Sequence, residues 1–206
     1  MPVASQAKPL EGFRFLPARL DSAAQAALAA EILALIDAAP LYRPVVPSGK
    51  PMSVEMTNLG PLGWVTDVAG GYRYQAAHPV TGRPWPAIPA LLLDLWRELA
   101  DPHTPPDACL VNLYRQGARM GLHQDRDEID MAFPVLSVSL GDTALFRLGG
   151  LKRTDPTSSL RLASGDVCLL SGPARLAFHG IDRVLSGSSR LIPGGGRINL
   201  TLRRAR

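Results

Sequence analysis

The chain has 206 residues, enough for one substantial hydrophobic core and for no more than one domain of ordinary size. Hydrophobic residues make up 46% and charged residues 19%, which favours a soluble globular protein, and 19 Pro with 19 Gly argue against a helical bundle. The formal charge of +4 is compatible with a phosphate-bearing partner but does not require one.

Two features of the chain bear on its compartment. Cys109 and Cys168 each lie in an apolar run without disulfide spacing, so we expect both to be buried in a protein from a reducing compartment. The most apolar early segment, 23–39, contains Glu31 and Asp37 and is too polar for a signal peptide or a membrane span. We therefore expect a cytoplasmic monomer without a membrane partner.

Two amphipathic helices are predicted in the first half of the chain. Ser22 and Gln25 form a capping box, with Asp21 as the other candidate N-cap, and apolar residues then repeat at helical spacing until Pro40. A second helix is predicted within 88–99, where apolar residues follow one stripe.

Short strands dominate the remainder. Extended pieces are predicted at 52–56, 71–75, 108–114, 135–140, 144–148, 160–163, 167–170 and 198–202. Glycine-containing turns separate the later ones, and such close spacing favours a sandwich or barrel over a parallel α/β sheet. Helices followed by a run of strands predict an all-β core buttressed by helices on one side.

A candidate metal site begins with the H-x-D motif of His123 and Asp125. On an extended chain these side chains point to the same face and can bind one ion. His179 is the candidate third ligand, and Gly180 beside it allows a close approach of the backbone. Two His and one carboxylate leave three positions open, as a non-haem Fe(II) oxygenase requires. H-x-D also occurs by chance, so ordinary surface or core residues remain the other interpretation.

A second polar pattern follows His179 along the chain. The segment 197–203 alternates strictly, and its polar face carries Arg197, Asn199, Thr201 and Arg203. Alone, this pattern is typical of an amphipathic strand with a solvated face. Beside a metal site, a guanidinium would instead hold the far carboxylate of a dicarboxylate, with Asn112 and Tyr114 as further donors.

Together with other ordered motifs, these residues resemble the AlkB family of nucleic-acid dealkylases. The motifs lie at 52–58, 62–64, 71–74, 83–86, 107–114, 123–128, 138–141, 149–153, 165–167, 178–181 and 197–203. The resemblance covers residues 45–206, and more loosely the N-terminal helix. Eleven motifs in order are far more specific than any one of them.

The resemblance implies an α+β, mainly β fold with a double-stranded β-helix, or jelly-roll, core. Buttressing N-terminal helices and a nucleotide-recognition lid would complete it. The whole chain, 1–206, would be a single Fe(II)/2-oxoglutarate dioxygenase domain. Within it, 45–100 would be an N-terminal extension with the substrate lid, and 107–206 the catalytic core.

The resemblance also implies a role for individual residues. The iron ligands would be His123, Asp125 and His179. The residues that bind 2-oxoglutarate would be Asn112, Leu113, Tyr114, Arg197, Asn199 and Arg203. The residues that bind the substrate would be Trp64, Tyr72, Arg73, Tyr74, Asp127 and Arg153. Among these, Asp127 would read the exocyclic amine of the base and Arg153 would position the nucleotide, while either Tyr72 or Tyr74 would be the lid tyrosine.

The implied activity is oxidative demethylation of bases such as 1-methyladenine and 3-methylcytosine, preferably in single-stranded DNA. It would use Fe(II), 2-oxoglutarate and O2 and release formaldehyde, succinate and CO2 as a direct-reversal repair of DNA. Duplex DNA, RNA or tRNA bases and protein side chains stay open as substrates. A non-catalytic basic nucleic-acid-binding β-barrel would leave the two His, the Asp and the paired Arg unexplained. A jelly-roll metal hydrolase would not require Arg197 and Arg203.

Overall fold

The computed structural model describes residues 10–206, which form twelve β-strands, two α-helices and one short 3-10 turn at Gly172–Ala174. The strands are β1 (Phe13–Leu16), β2 (Glu55–Leu59), β3 (Gly63–Asp67), β4 (Gly71–Gln75), β5 (Ala108–Tyr114), β6 (Met120–His123), β7 (Val135–Gly141), β8 (Ala144–Leu148), β9 (Ser158–Leu162), β10 (Val167–Leu170), β11 (His179–Val184) and β12 (Arg197–Arg203). The helices are α1 (Ser22–Ala38) and α2 (Ala90–Leu99).

The strands form two antiparallel sheets and a separate hairpin. The large sheet has the order β1-β10-β7-β12-β5-β2, the small sheet has the order β6-β11-β8-β9, and β3 pairs with β4. Neighbouring strands are antiparallel throughout. The predicted mainly β core is therefore confirmed. Both β1 and β2 belong to the large sheet, so this sheet also uses strands from the first third of the chain.

The start of α1 differs from the predicted capping box. The N-cap is Asp21, whose carboxylate accepts a hydrogen bond from the Ala24 backbone N–H at 2.8 Å. Ser22 is already inside the helix, and the Gln25 side chain donates to the carbonyl of Leu20 at 2.8 Å instead of reaching back to the cap. Asp21, the other candidate, is therefore the N-cap, where its carboxylate satisfies one free N–H group of the first turn, and the predicted capping box is wrong.

Both helices pack on one face of the large sheet, as predicted. Ile32 of α1 and Trp96 of α2 share one buried cluster with Val111 of β5 and Ile198 of β12. Because side chains alternate along a strand, the other face of the same strands points away from the helices. That second face is where the polar residues of β12 lie.

A second apolar cluster fills the space between the two sheets. It joins Leu110 of β5 and Cys168 of β10 with Phe146 of β8 and Ile181 of β11. The two cysteines are free and buried as expected, Cys109 in the cluster under the helices and Cys168 between the sheets. Burial raises the pKa of both thiols to about 12, so they stay protonated.

Most predicted strands lie where the structure has them, and the differences concern strand ends. The piece predicted at 52–56 is shifted, because β2 begins at Glu55, where its backbone starts to pair with Leu113 of β5. The strands β1, β3, β6 and β11 were not predicted, since pairing with a partner defines them more than their own residues do. Within residues 10–206, no helix has the length and apolar character needed to cross a bilayer.

Candidate active site

Two strands of the small sheet bring two histidines together. His123 ends β6, His179 begins β11, and the two residues are direct partners across the antiparallel pair. Their ring centroids lie 4.5 Å apart. Gly180 permits this approach, because a Cβ there would lie 2.6 Å from the Met120 carbonyl oxygen. The prediction that Gly180 makes room for a neighbouring backbone is confirmed.

Asp125 completes a three-residue cluster with these histidines. Its carboxylate oxygens lie 3.7 Å from Nε2 of His123 and 3.6 Å from Nε2 of His179. The possible ligand atoms of all three residues lie within 4.8 Å of one another. Each Nδ1 faces the carbonyl oxygen two residues earlier at 2.9 Å, which leaves each Nε2 for a metal. The three side chains can therefore bind one metal ion through ligand atoms that all lie on the same side of that ion.

The electrostatic environment keeps these groups in the form that a metal needs. Burial opposes ionisation of Asp125, but Arg203, His179 and His123 outweigh it and hold the pKa of that carboxyl well below its usual range. Burial, aided by His123, lowers the pKa of His179 to about 4. At neutral pH the cluster therefore offers a carboxylate and a neutral imidazole, which are the ligating forms.

A buried ion network supports Asp125 from behind. Arg203 donates from Nη2 to Oδ1 of Asp125 at 2.7 Å and from Nη1 to Oε1 of Glu128 at 3.2 Å. Arg175 donates to the other oxygen of Glu128 at 3.0 Å and to the Asp125 carbonyl at 2.6 Å. The sequence did not predict a role for Glu128 or Arg175. The available signal was a charged Arg175 in an otherwise apolar segment, since buried charges need partners.

A cavity of about 390 Å³ opens between the sheets and contains the cluster. Its lining includes the three candidate ligands and the inward side chains Asn112, Tyr114, Ser137, Arg197, Asn199, Thr201 and Arg203. Toward the hairpin the lining continues with Trp64, Tyr72, Arg126, Asp127, Arg153 and Phe178, and Val46, Met52 and Met56 form an apolar wall. The volume is in the range of small-molecule binding sites.

Arg197 is a fully buried cation that makes no ion pair with a carboxylate of residues 10–206, although the buried Asp166 acts on it from a greater distance. Nη2 donates to the Ser139 hydroxyl at 2.8 Å, Nη1 makes a long contact of 3.4 Å to the Leu162 carbonyl, and Nε has no partner. Among residues 10–206, no carboxylate lies within 4.0 Å of this guanidinium. Burial lowers the pKa of Arg197, which means that the buried charge is unfavourable in the free protein. A carboxylate bound beside the guanidinium would compensate this unfavourable burial by charge-assisted hydrogen bonds.

The polar side chains beside Arg197 differ in how many of their hydrogen bonds are made within the protein. Asn112 keeps a buried side-chain oxygen without a partner. Asn199, its direct partner across the strands, is already bonded to the Ser137 hydroxyl at 2.7 Å and to the Thr201 hydroxyl at 3.0 Å. Burial raises the pKa of Tyr114 well above its usual value, so its hydroxyl stays a donor. The donors that remain, Arg197 and the Tyr114 hydroxyl, fit a ligand with carboxylate groups, whereas the Asn112 oxygen is an acceptor and requires a donor.

The hairpin β3–β4 forms the outer wall of the cavity. Trp64 and Tyr72 stack with ring centroids 5.7 Å apart, and the indole N–H of Trp64 donates to Oδ2 of Asp127 at 2.7 Å. Opposite them, the Arg153 guanidinium lies 4.9 Å from the ring centroid of Phe178. This end of the cavity therefore combines flat aromatic surfaces, one carboxylate and one cation.

Three residues assigned to the site from the sequence do not line the cavity. Leu113 points to the helix side of the large sheet, because it alternates with Asn112 and Tyr114. Arg73 is on the opposite face of the hairpin from Tyr72 and forms an ion pair with Asp67 at 2.7 Å. Tyr74 is buried, and its hydroxyl joins the ion network behind Asp125. Of the two candidate lid tyrosines, Tyr72 is the one that lines the cavity.

Known proteins resemble the chain over nearly its whole length. A family model described as the 2OG-Fe(II) oxygenase superfamily matches residues 12–203. An alpha-ketoglutarate-dependent dioxygenase AlkB homolog of Caulobacter vibrioides is 68% identical over 203 residues, 97% of this chain and 92% of that protein. The alpha-ketoglutarate-dependent dioxygenase AlkB of Escherichia coli is 46% identical over 170 residues, 81% of this chain and 78% of that protein. The solved structure of OsALKBH1 has a TM-score of 0.75 and 31% identity, covering 93% of this chain and 97% of that chain.

The chain belongs to the 2OG-Fe(II) oxygenase superfamily, whose members use Fe(II), 2-oxoglutarate and O2. Its relatives place it within the AlkB family of 2-oxoglutarate-dependent dealkylating dioxygenases. The predicted family, jelly-roll fold, enzyme class and cofactors are therefore confirmed.

Proposed function

We propose that this enzyme binds Fe(II) through His123, Asp125 and His179 and demethylates alkylated nucleic-acid bases oxidatively. Its preferred substrates are bases such as 1-methyladenine and 3-methylcytosine in single-stranded DNA, with formaldehyde, succinate and CO2 as the other products. The function is direct-reversal repair of DNA. The observation that carries the proposal is the unpaired buried Arg197 in the same cavity as the His–Asp–His cluster.

The protein's share of the chemistry is positioning. Bound iron and 2-oxoglutarate, together with O2, would carry out the oxidation of the alkyl carbon. Arg197 would hold the far carboxylate of 2-oxoglutarate by charge-assisted hydrogen bonds, and Tyr114 would donate a further hydrogen bond to it. Arg203 lines the same cavity and donates to Asp125 and Glu128, so it would orient the carboxylate ligand, while its Nε, which has no partner, stays available to 2-oxoglutarate.

The wall formed by the hairpin would recognise the base. Methylation at a ring nitrogen gives the base a positive charge, and stacking on Trp64 would stabilise that cation by about 0.5–2 kcal/mol. Asp127 adds a carboxylate, and since Trp64 occupies one of its oxygens, the other remains for the exocyclic amine of the base. The alkylated atom lies on the pairing edge, so a single strand or a flipped nucleotide must enter the cavity.

Cationic side chains near the cavity would contact the nucleic-acid backbone. Arg126 and Arg153 line its outer part, and the formal charge of the chain is +4. Phosphate contacts of this kind make binding fall as the salt concentration rises. We also infer one monomeric catalytic unit over 1–206, with the lid within 45–100 and the catalytic core within 107–206.

A mass-spectrometric assay tests the substrate assignment. Oligonucleotides carrying 1-methyladenine or 3-methylcytosine are incubated as single-stranded DNA, duplex DNA and RNA, with and without 2-oxoglutarate. We expect fastest demethylation of single-stranded DNA, dependent on 2-oxoglutarate. Faster demethylation of RNA would replace the DNA assignment with an RNA or tRNA substrate.

His123→Ala tests the iron assignment in the same assay. We expect formaldehyde release to be abolished while the circular dichroism spectrum is retained, because an exposed imidazole contributes more to metal binding than to packing. Full activity of a metal-checked His123→Ala protein would rule out the proposed ligand set.

A further inference from the structure

One cross-strand pair of the lid hairpin contacts the segment that carries the iron carboxylate. Trp64 and Tyr74 are direct partners on β3 and β4, so both side chains lie on the same face. Trp64 donates to Asp127 at 2.7 Å, and the Tyr74 hydroxyl donates to Oε1 of Glu128 at 2.5 Å. The hairpin is thus bonded to two consecutive residues that follow Asp125 closely in the chain.

Tyr74 contacts the ion network rather than the cavity. Its hydroxyl donates to Glu128 and accepts a hydrogen bond from Nη1 of Arg203 at 3.2 Å. The same Nη1 donates to Glu128, while Nη2 of Arg203 donates to Asp125 at 2.7 Å. Only Arg203 therefore separates the Tyr74 hydroxyl from the iron carboxylate.

The charge balance of this network depends on that hydroxyl. The Glu128 side chain is fully buried and is shared between Arg203 and Arg175, so it competes with Asp125 for Arg203. The Tyr74 hydroxyl supplies one of the donors that Glu128 needs. Without it, Oε1 of Glu128 would draw Arg203 toward itself and away from Asp125, which would change the orientation of the carboxylate ligand.

We propose that Tyr74 is a positioning residue, through which docking of the lid hairpin sets the affinity of the core for its metal. The hydroxyl acts through Glu128 and Arg203 on Asp125 and touches neither metal nor substrate. This proposal rests on the proposed function in one respect, that Asp125 binds the iron.

Tyr74→Phe tests the proposal by isothermal titration with Mn(II), without 2-oxoglutarate or nucleic acid. We expect about tenfold weaker Mn(II) binding, the lower end of the loss that follows removal of outer partners of a metal ligand. The matched control is Tyr42→Phe, because the Tyr42 hydroxyl is also buried but has no hydrogen-bond partner. We expect the control to bind Mn(II) within about twofold of the unchanged protein.

A thermal unfolding curve of each variant separates positioning from general stability. Mn(II) affinity of Tyr74→Phe within twofold of the unchanged protein, or an equal loss in Tyr42→Phe, would overturn the proposal. If Tyr74→Phe does not fold, Glu128→Gln replaces it and disturbs the same balance in the opposite direction: Arg203, released by the neutral amide, would bind Asp125 more tightly and compete with the metal for it. A folded Glu128→Gln protein should therefore lose about tenfold in Mn(II) affinity, and unchanged affinity would again overturn the proposal. His123→Ala is titrated in parallel, because unchanged Mn(II) binding there would refute the iron assignment itself.

Discussion

The buried arginines around the cavity differ in whether they form an ion pair with a carboxylate of the protein. Arg175 and Arg203 donate to buried carboxylates, whereas Arg197 finds only a hydroxyl and a carbonyl. A buried cation without an ion-pair partner destabilises the free protein. The contrast supports the proposal that Arg203 orients Asp125 and that Arg197 binds the far carboxylate of 2-oxoglutarate.

Replacing Arg197 should therefore raise the stability of the ligand-free protein and at the same time abolish binding of 2-oxoglutarate. We expect Arg197→Met to stabilise the ligand-free protein by about 1–2 kcal/mol, because it removes an uncompensated buried charge at similar volume. Each kcal/mol corresponds to about 2–4 °C in Tm for a chain of this size. In the unchanged protein 2-oxoglutarate with Mn(II) should raise Tm, and in Arg197→Met this increase should disappear. A variant that is less stable yet still stabilised by 2-oxoglutarate would contradict this.

Asp127 should affect the base and not the cosubstrate. We expect Asp127→Ala to lower kcat/KM for 1-methyladenine by about 10- to 100-fold, the loss of one hydrogen bond to a charged group. The KM for 2-oxoglutarate should stay unchanged, since Asp127 lies on the hairpin side of the cavity. Equal losses for both would argue against base recognition by Asp127.

At the scale of elements, strand pairing places functional side chains directly opposite one another. His123 faces His179 across β6 and β11, and Tyr114 faces Arg197 across β5 and β12. A shift of either register by one residue would turn the side chains to the other face. The register of two strand pairs therefore positions both the two histidines of the His–Asp–His cluster and the Tyr114–Arg197 pair.

Gly180→Ala tests the first of these strand pairs. Its Cβ would meet the carbonyl oxygens of Met120 at 2.6 Å and Gly121 at 2.8 Å, and these backbone atoms cannot move without separating β6 from β11. We expect a destabilisation of about 1–3 kcal/mol and a large loss of Mn(II) affinity. Gly121→Ala is the control on the facing strand, because a Cβ there meets nothing within 4 Å. Metal binding by Gly180→Ala equal to that of the control would refute the argument.

At the scale of the whole molecule, the large sheet has an apolar face that stabilises the fold and a second face that carries the polar side chains of the cavity. One face packs against both helices, and the other lines the cavity. A large part of the apolar burial that stabilises the fold thus lies away from the polar side chains that line the cavity. The lid hairpin contacts the cavity side, where it bonds to the segment after Asp125.

Ile32→Ala tests this separation from the helix side. Ile32 is 1% exposed and packs in the cluster under the helices, so its truncation should cost about 2–5 kcal/mol of unfolding free energy. At a temperature where the variant is folded, its kcat and its KM for 2-oxoglutarate should be unchanged. Denaturant titration and steady-state kinetics check the two expectations, and a raised KM at full folding would contradict the second.

Local patterns were sufficient to predict much of the candidate site. The i, i+2 spacing of His123 and Asp125 and the alternation along β12 depend only on strand geometry, and the same alternation excludes Leu113. The resemblance implied Arg73 and Tyr74 as substrate-binding residues, but Arg73 lies on the other face of the hairpin and Tyr74 packs toward the core. Glu128 and Arg175 were missed because their pairing joins segments that no local pattern connects.

The sequence by itself determined the strand-rich architecture, the buttressing helices and the types of residue available for a metal and a dicarboxylate, because alternation, turns and apolar spacing are local properties. Only the tertiary structure decided whether the polar face of β12 is solvated or lines a cavity, and which cations are paired there. Burial and charge balance depend on segments distant in sequence, such as Tyr74, Asp125 and Arg203, that meet only in the folded chain.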